Sequence, residues 1–215
     1  NGTVEQLIEE ETACGVNRMC IYSVAMNVHS MHSINTFIHS QLVAHPDLFT
    51  GMAAIHPDYD DFDGLIRDVQ AMGFKGFKIH PDMQKFALDD KRSMDMFAAI
   101  EGKMPIVIHT GDKRYNYSHP EQMKRVLDAF PNLTCVCAHL GGWSEWDDAY
   151  KSLAKYDNVY VDTSSSLYAM EPEHAAKIIR QYATERVMFG TDYPMWNAKE
   201  ELERIAAVPL TDRER

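Results

Sequence analysis

Two histidines and an aspartate stand at the ends of three short apolar runs: His109 in MPIVIHTG, His139 in TCVCAHLGG, and Asp192 in VMFGTDYP, Val187 to Pro194. A short apolar run that stops at such a residue beside glycine reads as a buried parallel strand handing over to a loop. The three side chains would therefore occupy equivalent C-terminal strand edges. Two imidazoles and a carboxylate suit a first-row divalent ion, with Zn2+ expected first, and a site with an open position binds water and lowers its pKa to about 7. A carboxylate touching both metal and water also serves as general base. Other strand ends add Asp162 in NVYVDTSSS, and Lys78 with His80 in FKGFKIHP, the two-residue spacing that places both on one strand face.

The elements that must position these groups alternate along the chain. Strand candidates are RMCIYSVAM (Arg18 to Met26), LFTGMAAIHP (Leu48 to Pro57), FKGFKIHP (Phe74 to Pro81), and the runs ending at His109, His139, Asp162 and Asp192. Helical segments separate them. Gly2 to Val16 reads as a helix with Thr3 and Gln6 in a capping box and Gly15 as its stop. DFDGLIRDVQAMG reads as a helix ending at Gly73, and Asp90 to Ile100 as another. Ser118 and Glu121 form an expected capping box with Pro120 in the first turn. A helix beginning near Trp143 and Trp146 and the helix EPEHAAKIIRQYA complete the series, and Thr211 with Glu214 offers a last capping box. Seven strands in strict alternation with helices mean βα units and a parallel sheet. Functional residues at almost every strand end favour a closed barrel over an open sheet, in which they would gather at one switch point.

Composition sets the outer limits. The 215 residues, 45% hydrophobic and 25% charged, suit one single domain over 1–215 with a sizeable core. A net charge of -11 argues against general affinity for nucleic acid or an anionic membrane. No apolar run approaches the roughly 18 residues of a spanning helix, so the expected setting is cytoplasmic. Cys14, Cys20, Cys135 and Cys137 show no C-x-x-C pair and read as buried thiols in a reducing compartment rather than a zinc knuckle. His29, His32 and His39 read as surface residues of a loop and helix, without a matching carboxylate. No glycine-rich phosphate or dinucleotide fingerprint follows any strand.

The ordered series FKIHP, VIHTG, AHLGG, VDTSS and GTDYP, from about Gly73 onward, resembles the amidohydrolase superfamily, specifically its amidohydrolase-2 branch of decarboxylases, lactonases and hydratases. The resemblance implies a distorted (β/α)8 TIM barrel in which His109 is the strand-5 metal ligand and Asp192 the strand-8 ligand and base. His139 on strand 6 would be a catalytic hydrogen-bonding residue in a one-metal site or a ligand in a two-metal site. Lys78 matches the lysine that similar dihydroorotase-type enzymes carboxylate to bridge two metals; otherwise it is an inward cation. His80 is expected equally as a substrate or supporting contact and as a ligand. Lys113, Arg114, Tyr115, Trp143 and Trp146 supply the cations and aromatics of a pocket for a carboxylated or ring-bearing small molecule, although solvation explains the charges equally well. The family's first strand carries a His-x-His or Glu-x-His pair that is absent ahead of Arg18. The expectation is therefore a barrel lacking its first strand, incomplete at both termini, with a gap between the strand ending near Val24 and that ending at Gly190.

The leading expectation is a metal-dependent hydrolase acting on a C–N or C–O bond through metal-activated water, with one divalent ion and two left open. The alternative is a lyase, a metal-dependent decarboxylase of an aromatic or unsaturated acid. A third reading is a non-catalytic barrel with a vestigial site. A homo-oligomer is left open by all three.

Overall fold

Strand formation follows the apolar runs closely but trims them. A computed structural model describes residues 2–215. Seven strands, β1 (Met19–Ile21), β2 (Phe49–Ala54), β3 (Gly76–Ile79), β4 (Ile106–Ile108), β5 (Cys135–Cys137), β6 (Val159–Asp162) and β7 (Val187–Met188), form one sheet in chain order. Every neighbouring pair is parallel. The sheet is that of a TIM barrel with one strand place open, between β1 and β7, where the sequence places its gap.

Side-chain alternation divides the sheet into an outer and an inner face. Phe77, Ile79, Ile106, Ile108, Cys135, Cys137, Val159 and Val161 are wholly buried and belong to the core with Phe97, Ile100, Met123, Val126, Leu153 and Ile178 of the helices. The alternate residues Lys78, Val107, Val136 and Tyr160 stand in one register row across β3 to β6. Val107 and Val136 line a cavity of about 510 Å³ that also touches β1, β6 and β7. Walls from both ends of the sheet meet at this cavity, so the sheet curls around it.

Nine α-helices precede, connect or follow the strands among the described residues: α1 (Val4–Ala13), α2 (Val28–Ala44), α3 (Phe62–Ala71), α4 (Pro81–Gln84), α5 (Lys91–Ile100), α6 (Pro120–Ala129), α7 (Trp146–Leu153), α8 (Pro172–Gln181) and α9 (Ala198–Ala207). Several of their starts are fixed by side-chain caps: Thr3 accepts from the Gln6 N–H at 3.2 Å, Asn27 from Ser30 at 3.1 Å, Asp90 from Ser93 at 2.9 Å and Asn197 from Glu200 at 3.0 Å. The α6 cap differs from expectation. His119, not Ser118, is the N-cap and forms its box with Gln122; Ser118 is drawn instead to Asp82 and the Gly111 carbonyl, each at 2.5 Å. His29, His32 and His39 all lie within α2, whose periodicity continues through the stretch read as a loop.

Helix α1 lies along the open seam. Val4, Leu7 and Glu11 line the cavity together with Met19 and Ile21 of β1 and Met188 of β7. The Glu11 carboxyl interacts with Thr191 and the Ala198 backbone, joining α1 to the loop after β7.

Candidate active site

The strand-end residues converge as a parallel barrel requires, but in two groups. The first is built on β3 and β4. His109 follows β4 and donates its backbone N–H to the Ile79 carbonyl at 3.1 Å. His80 follows β3 and caps the short α4, its Nδ1 accepting the Met83 N–H at 3.3 Å. Pro81 starts that turn, and Asp82 swings in beside the two imidazoles. The His80 and His109 rings stack at 3.7 Å with planes 9° apart. One ligand atom from each of His80, Asp82 and His109 lies within 4.8 Å of the other two.

Proton placement follows from the partners. His139 Nδ1 lies 3.0 Å from both the carbonyl and the hydroxyl of Ser164, and that hydroxyl donates to Asp162 Oδ1 at 2.5 Å. Nδ1 must therefore carry the proton, and in the neutral ring Nε2 accepts. His109 Nδ1, 3.0 Å from His139 Nε2, then donates. This leaves His109 Nε2 as a bare lone pair. It is buried without a hydrogen-bond partner, 3.8 Å from Asp82 Oδ2, and Asp82 Oδ1 is unpartnered too. Burial first, then the neighbouring His139 and His80, holds His109 far below the usual imidazole range. The 3.8 Å approach is thus not an ion pair. His80 is pushed down to about 3, chiefly by burial, and Asp82 up to about 6, again chiefly by burial. Neutral imidazole nitrogen and a buried carboxyl, both with open lone pairs, fit a divalent cation.

The second group lies across β6 and β7. Asp162 Oδ1 collects the His139 N–H at 3.2 Å, the Ser164 N–H at 3.0 Å and the Ser164 hydroxyl. Asp192 accepts from the Ser165 hydroxyl at 2.6 Å, and Ser165 in turn accepts from Trp196 Nε1 at 3.1 Å. His139 (φ 62°) and Asp192 (φ 54°) both have left-handed backbone, a conformation that side-chain-bearing residues rarely adopt and that aims each group off its strand. Asp162 and Asp192 line the cavity; the His80, Asp82 and His109 group does not.

Asp192 is not among the donors gathered at His109. Its charge is felt by Lys78 and His80. Lys78 is buried on β3 with its Nζ 4.9 Å from the Tyr22 ring centre; burial lowers its pKa while Asp162 and Asp192 raise it. Arg114 is held by Asp112 through Nε at 2.8 Å and a second nitrogen at 2.7 Å, and its guanidinium stacks 4.8 Å from Trp143. Lys113 is exposed. Trp146 starts α7 and donates to the His139 carbonyl at 3.0 Å, which fixes that left-handed turn. Asp82 and Ser118 were missed by sequence reasoning. The available signal was IHPD, in which proline turns the chain immediately after His80.

The fold has well-defined counterparts. An uncharacterised TIM-barrel protein from Bordetella bronchiseptica superimposes with a TM-score of 0.81 at 22% identity, covering 99% of this chain and 78% of that one. A 2,6-dihydroxybenzoate decarboxylase from Rhizobium gives 0.73 at 16% identity, covering 99% and 84%. A 5-carboxyvanillate decarboxylase from Novosphingobium aromaticivorans, solved with manganese and 4-hydroxy-3-methoxy-5-nitrobenzoic acid, gives 0.75 at 18% identity, covering 100% and 76%. No curated protein sequence matches the chain. The model of the amidohydrolase family, of the amidohydrolase-2 type, matches residues 34–215, and the chain belongs to that family.

Proposed function

We propose that this protein is a metal-dependent decarboxylase of a small aromatic or unsaturated carboxylic acid. The observation that carries the reading is the bare, buried Nε2 of His109 facing Asp82, beside a cavity edged by the carboxylate of Asp192. The decarboxylases similar in fold support it over hydrolysis, which remains the chemistry to be tested against it.

His109, with Asp82 and His80, would hold the ion, and Asp192 is the further carboxylate that the family resemblance adds. A bound divalent ion would supply charge stabilisation to an oxyanion of the substrate. Imidazole and carboxylate donors suit Zn2+ and Mn2+ alike. The remaining work belongs to the chain's own residues. Loss of CO2 breaks one C–C bond and leaves its electron pair on carbon, which then needs one proton. Asp192 and His139 are the proton-handling groups, with Ser165 orienting the first and Ser164 the second. Arg114 and Trp143 form the rim against which a ring-bearing acid docks, with Lys113 beside them. Asp112 already neutralises Arg114, so its planar stacking face is the part on offer.

The test is incubation of the full chain, loaded in turn with Zn2+ and Mn2+, with hydroxybenzoic acids and with matched amides and lactones. Stoichiometric CO2 with the decarboxylated ring as product is expected. Amide or lactone cleavage without CO2 from any acid would replace this reading by the hydrolytic one.

A further inference from the structure

We propose that Lys78 is the substrate's second anchor: a cationic subsite inside the barrel that pairs with an oxyanion the substrate keeps when CO2 leaves. The inference rests on the decarboxylase reading for the identity of the leaving group, and on geometry for the subsite itself.

Lys78 is only 5% exposed. It shares a register row with Val107 and Val136, both of which line the interior cavity. Residues in register on parallel strands face the same way, so the lysine stem enters the barrel interior. Among the described residues its Nζ makes no hydrogen bond and no ion pair, and it stands 4.9 Å from the centre of the Tyr22 ring. A buried ammonium is costly unless something pairs with it. Asp162 and Asp192 lie too far to bond it, and each is already hydrogen-bonded, Asp162 by three donors and Asp192 by Ser165. The cation is therefore unspent, and it stands beside Cys20, Tyr22, Asp162 and Asp192, which open onto the cavity.

The direction of charge movement says which substrate group it pairs with. In decarboxylation negative charge leaves the scissile carboxylate and moves into the carbon framework. A cation fixed on the leaving carboxylate would hold the ground state more tightly than the transition state and slow the reaction. A cation on a retained carboxylate or phenolate has no such cost. Lys78 precedes His80 by two residues, so it lies roughly 7 Å deeper along β3 than the metal-donor group. A ring bearing oxyanions on two of its carbons spans that separation. The substrate class is thus narrowed to carboxylic acids with a second oxyanionic group, either carboxylate or phenolate.

Calorimetric titration of the full chain with benzoate, isophthalate and 3-hydroxybenzoate reads the subsite without turnover. Isophthalate, 3-hydroxybenzoate or both are expected to bind at least about tenfold more tightly than benzoate, the size of one charge-assisted hydrogen bond; whichever shows the gain identifies the retained group as carboxylate or phenolate. Lys78→Met should abolish the gain, and Lys78→Arg should retain part of it. Equal affinity for all three ligands, or an undiminished gain in Lys78→Met, overturns the proposal. Should Lys78→Met fail to fold, the Nζ resonance of Lys78 in 15N-lysine-labelled wild type decides: a shift with the second-oxyanion ligands and not with benzoate supports the subsite, and no shift overturns it. A Lys78-dependent gain in a protein that releases no CO2 would leave the subsite standing and remove the decarboxylase reading.

Discussion

The unpartnered Nε2 of His109 and Oδ1 of Asp82 are the two atoms with most to gain from an ion. His109→Ala is expected to abolish stoichiometric metal binding, read by elemental analysis after dialysis. Asp82→Asn and Asp192→Asn then apportion the carboxylate ligand: the variant that loses metal identifies it, and retention of full occupancy by Asp82→Asn would move the ion toward Asp192. Turnover gives a separate readout. Asp192→Asn keeps the shape and its bond to Ser165 but cannot exchange a proton, so kcat should fall about 10²–10⁴-fold with fold retained by circular dichroism. Near wild-type kcat would remove Asp192 from proton transfer.

Among the elements, the turns after β4 and β5 carry the tightest packing near the site. Gly111 has φ 79°, and a Cβ there would sit 2.6 Å from the Gly142 carbonyl carbon and from the Trp143 nitrogen and oxygen. Gly111→Ala should cost roughly 2 kcal/mol or more, whereas Gly73→Ala, with φ 90° and open space around it, should cost about 1 kcal/mol from backbone strain alone. Denaturant midpoints of the two variants measure the difference. Helix α1 gives a pH-dependent prediction. Glu11 is 3% exposed with one carboxylate oxygen unpartnered, and burial raises its pKa above 4.5. A raised folded pKa means that the contribution is fully present below the unfolded value and is lost as pH rises through the folded one. Glu11→Gln should therefore be more stable than wild type at pH 7, with the Tm advantage shrinking as pH falls toward 4.5; an advantage independent of pH would show that the charge is not the cause. These elements were also where the sequence was most and least legible. All seven strands, their parallel order and the gap were readable, because continuous apolar runs between helical periods admit few other folds. His109, His139, Asp162 and Asp192 were readable as strand ends. Asp82, drawn in by a proline turn, and the left-handed backbone at His139 and Asp192 were not, since both arise from contacts between segments distant in sequence. Ser118 misled for the same reason: its local pattern was that of a cap, and a tertiary carboxylate outbid it.

At the scale of the whole molecule, among the described residues, the seven-stranded wall has two strand edges without strand partners, and no helix is long and apolar enough to cross a membrane. β7 pairs through two residues only, and its Met188 and the following Phe189 are 40% and 41% exposed. Native-state hydrogen exchange should accordingly be fastest in β1, β7 and α1 and slowest in β3 to β5, where flanking strands and buried helices protect both sides. Uniform protection across all seven strands would mean that the edges are braced as firmly as the centre. The seam also has a mechanical meaning. A closed wall behaves as a hoop, its circumference fixed by its own ladder of bonds; cut once, it becomes a split ring whose lips can spread while the opposite arc stays rigid. His109 and His139 sit on that rigid arc, at the ends of the central strands, whereas Asp192 rides on one lip and Tyr22 on the other. The coordinate with the greatest freedom is therefore the reach of Asp192 toward the imidazoles and Lys78. Among the described residues, the contacts of Glu11 from α1 with Thr191 and the Ala198 backbone bridge the lips and set the gauge of the mouth between them.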